Sequence, residues 1–171
     1  MKKVIWTAAI LSGAGLVVVG MLGEKSLAWT ITFGTTFYHF AMRLIVGGIL
    51  PKRPDYALQT GWFAPKAWEK SLYRALRVQR WKGSMPTYAP EEFDSSLGLE
   101  VLLRNMCHAE LVHEIIIVLS FAPLACIPVF GEPAVFGLTS LAAACFDALF
   151  VIMQRYNRPR VMLLLQRKQR K

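Results

Sequence analysis

Long apolar segments alternate with polar and basic segments along the chain. A helix needs about 20 residues to cross a hydrocarbon layer of about 30 Å, where its backbone groups can bond only to one another. The segments that meet this requirement are approximately residues 4–22, 27–50, 108–130 and 133–153. The pattern therefore predicts an all-α integral membrane protein with about four transmembrane helices, and we expect residues 1–171 to form a single membrane domain.

Small residues distinguish the first apolar segment, and a very short connection joins the last two. The residues that would let another helix approach the first segment closely are Gly13, Ala14, Gly15 and Gly20. The connection is GEPA, at residues 131–134, and its length predicts an antiparallel helical hairpin.

The segment between the second and third predicted spans, residues 51–97, contains a stretch with helical spacing. Trp68, Leu72 and Ala75 fall on one side of such a helix. Four cations share a narrow sector on the other side: Lys66, Lys70, Arg74 and Arg77. We expect an amphipathic helix at the membrane surface, with its cations bound to anionic lipid headgroups. The alternative is a solvated basic face on a helix that packs against the protein's own spans.

Composition supports the membrane assignment, and the distribution of charge predicts the topology. Hydrophobic residues make up 54% of the chain, more than a soluble domain of this size normally contains. The formal net charge is +9, but the basic residues are interrupted by long apolar runs, so nucleic acid is not an expected partner. Most lysines and arginines lie before the first span, in residues 51–97 and in a basic tail at residues 155–171. We therefore expect both termini and the central segment on the cytoplasmic side.

Cysteine and histidine spacings do not indicate a disulfide framework or a metal site. Cys107, Cys126 and Cys145 lie in or beside apolar runs and show no CxxC spacing. His108 and His113 are five residues apart and point to different faces of a helix, so they do not reproduce the HExxH zinc motif. We predict no metal and no bound cofactor.

Residues 104–114, RNMCHAELVHE, place ionisable side chains at the edge of an apolar span. Glu110, His113 and Glu114 stand at i, i+3 and i+4, so they share one helical face. Ionisable groups at this depth are costly unless they are paired or functional. A carboxylate one turn from an imidazole can fix its tautomer and stabilise its protonated form, as a general base requires.

Two other interpretations of this face compete with catalysis. In the first, Glu110 or Glu114 forms a structural ion pair that fixes the helix register, with candidate partners Arg43, Arg104 and Arg155. In the second, the face is a proton relay of a transporter, although four spans offer little of the repeat architecture that transporters show.

The fourth predicted span carries a polar stripe of its own. Its members recur along one side of a helix and are Asp147, Val151, Gln154 and Arg158. If this stripe faces Glu110 and His113, acidic, imidazole and guanidinium groups converge near the cytoplasmic interface. Pro159 is expected to end or kink the helix. Three guanidinium groups would then spread out at headgroup depth, those of Arg155, Arg158 and Arg160. At that depth they can bind a phosphate or polarise a carbonyl.

Three stretches of the chain resemble the glycosyl-4,4'-diaponeurosporenoate acyltransferase family. They are YRALRVQRWKGSMP at residues 73–86, AELVH at residues 109–113 and QRYNRPR at residues 154–160. Members of this family are bacterial membrane proteins associated with the final esterification of a glycosylated carotenoid. The resemblance implies a multi-pass protein of the bacterial cytoplasmic membrane. It also implies transfer of a fatty acyl group from an acyl thioester donor to a hydroxyl of a membrane lipid or glycolipid.

The resemblance carries over onto Glu110 and His113 in AELVH and onto the whole heptapeptide QRYNRPR. We expect His113, oriented by Glu110, to deprotonate the acceptor hydroxyl, and Arg155 or Arg158 to stabilise the oxyanion or anchor the donor's phosphate. Helix geometry alone adds Glu114 and Asp147. The predicted catalytic residues are thus His113, Glu110 and Arg158, and the predicted substrate-binding residues are Gln154, Arg155, Tyr156, Asn157, Arg160, Glu114 and Asp147.

Other functions fit the same residues. An acyl-enzyme on Cys107 is a variant of the acyl-transfer mechanism. A non-enzymatic membrane assembly module would use the Glu-His-Arg cluster to hold its helices together. A small integral membrane enzyme that transfers another group to a lipid, such as a phosphoryl or methyl group, is the third possibility. An oligomer is possible for any of them.

Overall fold

The computed structural model describes residues 1–21, 27–50, 61–87 and 89–170, which are helical with short connections and contain no strand. Residues 51–60 of the predicted central segment and Leu22 at the end of the first predicted span lie outside the described residues. The α-helices are α1 (Lys2–Met21), α2 (Leu27–Ile49), α3 (Glu69–Ala75), α4 (Val78–Trp81), α5 (Leu99–Leu119), α6 (Ile127–Phe130) and α7 (Pro133–Gln169). The 3-10 turns are Gly61–Phe63, Lys82–Ser84, Pro90–Phe93, Ser95–Leu97 and Ala122–Cys126.

Three helical segments of the described chain are long and apolar enough to cross a membrane: α1, the run Leu99–Phe130 and α7. Their most apolar windows have a mean hydropathy of 2.0 to 2.1, and most of each window is not buried inside the protein. Side chains such as Val4 and Leu11 on α1 are therefore exposed, as in a helix that faces lipid. The predicted span 27–50 forms α2, but several threonines, His39 and Arg43 make α2 less apolar, and its crossing of the membrane stays a prediction.

The third predicted span has different bounds from those expected. Helix α5 begins at Leu99 and ends at Leu119, whereas the sequence predicted a helix over residues 108–130. A 3-10 turn that includes Pro123 and the short α6 that includes Pro128 follow it. Both prolines lie in the first turn of their element, where the missing N–H has no helical partner to lose.

The fourth predicted span is longer than expected. The sequence predicted a span over residues 133–153 and a helix that ends or kinks at Pro159, but α7 continues to Gln169 with Pro159 inside it. The prediction that the helix ends there is wrong, and most of the basic tail predicted from residue 155 is helical. A proline inside a helix costs about 3 kcal/mol. Ion pairs of Arg155, about one turn before the proline, and of Arg158, directly before it, hold this part of α7 in place.

The central segment does not form the continuous amphipathic helix that its periodicity predicted. Helix α3 ends at Ala75, and α4 begins only at Val78. Between them Arg77 has φ 50° and ψ 41°, in the left-handed region. Only Lys70 and Arg74 of the four predicted stripe cations therefore lie on α3. Periodicity cannot detect a single left-handed residue, because the residue types on both sides of it are good helix formers.

The chain divides into two compact units, and α5 and α7 contribute to both. The first unit is Met1–Leu50 with Ile115–Asp147, and the second is Pro51–Glu114 with Ala148–Lys171. In the first unit, α1 and α2 pack closely at Gly13 and Gly15, two of the small residues from which a close approach was predicted, but not at Gly20, where an added Cβ meets nothing within 4 Å. A Cβ at Gly15 would lie 2.6 Å from the ring of Phe33 on α2, and one at Gly13 would lie 3.1 Å from the ring of Phe37.

A buried ion pair also lies in the first unit. Arg43 of α2 donates to the carboxylate of Asp147 on α7, which is almost fully buried. The same guanidinium donates to the backbone carbonyls of His39, at 2.6 Å, and Ala143, at 3.3 Å. Tyr38 donates to the carbonyl of Leu119 at the end of α5. The charge of Arg43 is thus balanced within the unit, as an apolar environment requires.

The glycine packing gives a direct test. We expect Gly15→Ala to lower the thermal unfolding midpoint of the purified protein in detergent, because the added methyl must displace Phe33 and overpacking costs about 1–3 kcal/mol. Gly20→Ala is the matched control, since a Cβ there meets nothing within 4 Å. The control gains the helix propensity of alanine, about 1 kcal/mol, without a clash. Equal shifts for the two variants would contradict the close approach at Gly15.

Candidate active site

A carboxylate that is completely buried, Glu110 on α5, lies at the centre of the second unit. Its Oε1 accepts a hydrogen bond of 2.5 Å from Arg155, and its Oε2 accepts one from Arg158. Both arginines lie on α7, and Arg158 is only 2% exposed. One carboxylate therefore joins α5 to two positions of α7 that stand almost one turn apart.

A second buried carboxylate, Glu69 at the start of α3, completes this network. Its Oε1 accepts two hydrogen bonds from Arg155, of 2.9 and 2.6 Å. Its Oε2 accepts a hydrogen bond of 2.9 Å from the hydroxyl of Tyr73, one turn further along α3. Two carboxylates thus face two guanidinium groups, and the formal charge of the network is balanced. Such charge-assisted bonds are the strongest hydrogen bonds that side chains make.

Other N–H groups of the two arginines donate hydrogen bonds to backbone carbonyls of residues 62–64. Arg155 donates to the carbonyls of Trp62 and Ala64, at 3.3 and 3.2 Å, and Arg158 donates to that of Phe63. The Arg158 guanidinium also lies 5.2 Å from the centroid of the Phe63 ring. The two arginines therefore fix the turn Gly61–Phe63 to α7. Glu110 and Glu69 supply the counter-charge that these cations need when they are buried.

His113 lies on α5, about one turn after Glu110. Its ring stacks flat on that of Phe150 from α7, with the centroids 4.6 Å apart and an interplanar angle of 7°. Phe150 is buried, whereas His113 is partly exposed. Both Glu110 oxygens accept from arginines, so the main partners of this carboxylate are guanidinium groups and not the imidazole that the sequence suggested. The stack on Phe150 is one contact that orients the His113 ring.

The heptapeptide at residues 154–160 presents two sides. Gln154, Arg155 and Arg158 point inward and are buried or nearly so. On the other side, Asn157 accepts a hydrogen bond of 2.8 Å from Lys82. The Tyr156 ring lies edge-on to that of Tyr73 at 5.4 Å, and it carries the Arg160 guanidinium at 4.3 Å and the Lys82 ammonium at 4.9 Å.

The second unit thus brings together most of the predicted site residues, but not all of them. Glu114 accepts a hydrogen bond of 2.8 Å from the indole of Trp62. Asp147 belongs to the first unit, where it pairs with Arg43. Cys107 is buried against Phe63. Among the residues that the structure describes, no group of three or more His, Cys, Asp or Glu side chains is arranged to hold a metal ion.

Sequence reasoning missed several residues of this site: Glu69, Phe63, Lys82 and Phe150. Glu69 carried a usable signal, because it is the lone acidic residue in a basic stretch and stands four residues before Tyr73, to which it bonds. Phe63 contributes mainly a carbonyl oxygen, and no side-chain pattern reveals a carbonyl. Phe150 stood among other apolar residues of a span, where nothing marks one ring as a partner of an imidazole.

These features define a small helical protein whose described part has three helices long and apolar enough to cross a membrane, a buried, charge-balanced Glu-Arg network and a partly exposed histidine. The chain belongs to the glycosyl-4,4'-diaponeurosporenoate acyltransferase family, whose model matches residues 59–167, more than half of the chain. The family resemblance seen in the sequence is thereby confirmed. Comparisons with curated proteins and with solved structures found no significant match. The matched region contains the whole Glu-Arg network and His113.

The network makes a prediction about stability. Glu110→Gln should lower the free energy of unfolding by about 3–5 kcal/mol, because it leaves Arg158 without a counter-charge and Arg155 with Glu69 alone. Glu114→Gln is the matched control, since an amide oxygen still accepts the bond from Trp62. Thermal unfolding in detergent measures both.

A second substitution identifies the cause. Adding Arg158→Gln to Glu110→Gln should recover part of the loss, because the cation left without its partner is then removed. A Glu110→Gln protein as stable as the control would contradict the central role of this carboxylate.

Proposed function

We propose that this protein is a membrane acyltransferase that moves a fatty acyl group from an acyl thioester to a hydroxyl of a membrane-embedded glycolipid, such as a glycosylated carotenoid. The family match supports acyl transfer, and the apolar helices support an acceptor held in the membrane. The single observation that carries the mechanism is the position of His113. It is a partly exposed imidazole beside a network whose charges are already balanced.

His113 acts as the general base in this mechanism. It takes the proton from the acceptor hydroxyl while that oxygen attacks the thioester carbonyl carbon. The tetrahedral intermediate collapses, the carbon–sulfur bond breaks, and the imidazolium returns the proton to the departing thiolate. The flat contact with Phe150 limits the ring to one orientation, and such positioning accounts for a large share of the effect of a general base.

The arginines of the network position the site in this proposal and do not bind the reacting groups. The Arg158 guanidinium is buried between Glu110 and the carbonyl of Phe63, so little of it is left for a substrate. Its contribution is to hold α7, and with it Phe150, against α5. Three partly or fully exposed residues of the heptapeptide that lie outside the Glu-Arg network are the better candidates for substrate contacts: Tyr156, Asn157 and Arg160.

In this proposal the acyl donor reaches the site from the cytoplasm, the side on which the distribution of lysines and arginines predicts the second unit. The basic residues of the second unit then lie on the inner side of the bacterial cytoplasmic membrane, where acyl thioesters are found and anionic headgroups add an attractive potential.

The mechanism predicts that His113→Ala lowers the rate of acyl transfer by about 10²- to 10⁴-fold. Because His113 is partly exposed and no residue of the Glu-Arg network changes, the thermal unfolding midpoint should change little. Phe150→Leu should give a smaller loss of kcat, because the base is retained but its orientation is looser. Arg167→Gln, at the exposed end of α7, serves as the control with near-normal activity. A folded His113→Ala protein with full activity would rule out this base.

A non-enzymatic membrane assembly module is the second candidate function. The observation that favours it is the burial of Glu110 between two arginines, which by itself is a structural device. Lipid profiles of cells with and without the gene separate the two functions. Loss of a glycolipid species heavier by one acyl chain is expected for the acyltransferase. Unchanged lipids would favour the assembly module, and a different mass difference would identify another transferred group.

A further inference from the structure

A cavity of about 660 Å³ lies in the second unit, beside the outer side of the heptapeptide. Pockets for small molecules commonly have volumes of about 300–1,000 Å³. Two tyrosines, Tyr73 and Tyr156, contribute to its wall. Four cationic side chains also line the cavity: Lys70, Arg74, Arg77 and Arg80. None of the four cations has a role in the proposed proton transfer.

The cations of this cavity differ from those of the Glu-Arg network in how they are balanced. Arg155 and Arg158 are each bonded to buried carboxylates. No carboxylate pairs with any of the four cavity cations within residues 61–87 and 89–170. Like charges that line one concave surface repel one another and raise the local concentration of anions. The cavity is therefore suited to a ligand with several negative charges.

The backbone at Arg77 gives a second, independent observation. Arg77 takes the left-handed conformation just after the end of α3, a position that glycine usually occupies. A left-handed non-glycine residue is strained by about 1–2 kcal/mol. Here the strain turns the chain between α3 and α4, so that Arg77 and Arg80 line the same cavity as Lys70 and Arg74. Strained residues of this kind are concentrated at ligand sites.

The Tyr73 hydroxyl is neutral and so does not repel an anionic ligand of the cavity. A phenol is already protonated at neutral pH, and burial, followed by the hydrogen bond to Glu69, raises the pKa of this one further. The bond between Tyr73 and Glu69 also connects the cavity wall to the Glu-Arg network.

The position of the cavity along α7 relates it to His113. Phe150, on which the His113 ring stacks, lies six residues before Tyr156 of the cavity wall. Six residues correspond to about 9 Å along a helix axis. An extended phosphopantetheine arm is longer than this axial separation, which is compatible with phosphates among the cations and a thioester at the level of His113.

We infer that this cavity binds the phosphate groups of the acyl donor, and that the donor is a nucleotide-bearing thioester of the coenzyme A type. This inference rests on the proposed acyl transfer. Guanidinium groups bind phosphate oxygens in pairs, and a phosphomonoester carries nearly two negative charges at neutral pH. A 3'-phosphate and a diphosphate on one nucleotide therefore match a cluster of four cations.

The test is direct binding of free coenzyme A to the full-length protein in nanodiscs of zwitterionic lipid, measured by calorimetry. Arg74→Gln and Arg80→Gln should each raise the Kd by about tenfold or more, as expected for a lost charged hydrogen bond. Pantetheine, which has no phosphate, should bind much more weakly than coenzyme A. Arg167→Gln with Lys168→Gln, on the exposed end of α7, is the control for loss of charge alone and should change the Kd by less than about threefold.

Arg77→Gly separates binding from folding. Glycine relieves the left-handed backbone, so the thermal unfolding midpoint should stay the same or rise. The Kd for coenzyme A should nevertheless increase. A merely structural role of Arg77 would leave the Kd unchanged and would count against the inference.

Further outcomes would overturn the inference. These are no binding of coenzyme A by the unmodified protein, or a Kd that the cavity variants leave unchanged. If the same variants instead lose association only with vesicles that contain anionic lipid, the cavity serves lipid headgroups. Binding needs no turnover, so this test can fail while His113-dependent transfer stands. In the transfer assay, the cavity variants should raise KM for the donor, whereas His113→Ala should lower kcat.

Discussion

Full burial of the Glu110 carboxylate is the constraint on which the second unit depends. A charged carboxylate away from water is unstable unless cations and hydrogen bonds replace its hydration. Here Arg155 and Arg158 supply them, and Glu69 balances the charge that remains. These contacts connect α5, α7, α3 and the turn Gly61–Phe63. Removing one member leaves its partners charged and buried, so the network acts as a unit.

The same constraint separates two kinds of cation in this unit. The arginines at 155 and 158 are neutralised by buried carboxylates and hold helices together. The cations around the cavity keep their charge available to a ligand, since no carboxylate among the described residues offsets it. The proposed transfer from an anionic donor would use both kinds. Rigid pairs keep the reacting groups in place, and unpaired charges attract and hold the substrate.

The sequence predicted the helical class and the convergence of Glu110 with the arginines of the heptapeptide, because those residues lie on regular helices where spacing determines the shared face. It did not reveal Glu69, whose bond to Arg155 joins positions 86 residues apart. It also failed at Arg77 and Pro159. A single left-handed residue leaves no periodic trace, and the α7 helix continues past the proline because tertiary contacts outweigh a local cost of about 3 kcal/mol.

The two units place different demands on their residues. In the first, α1 and α2 need apolar surfaces, glycines where rings approach, and an internal partner for Arg43. Many sequences satisfy such demands, and the family match accordingly begins only at residue 59, after both helices. The second unit needs particular side chains, since a buried carboxylate that accepts from two guanidinium groups has few substitutes. Specific chemistry is therefore expected in the second unit. For the same reason the heptapeptide could identify the family, whereas the first two apolar segments could indicate only a membrane protein.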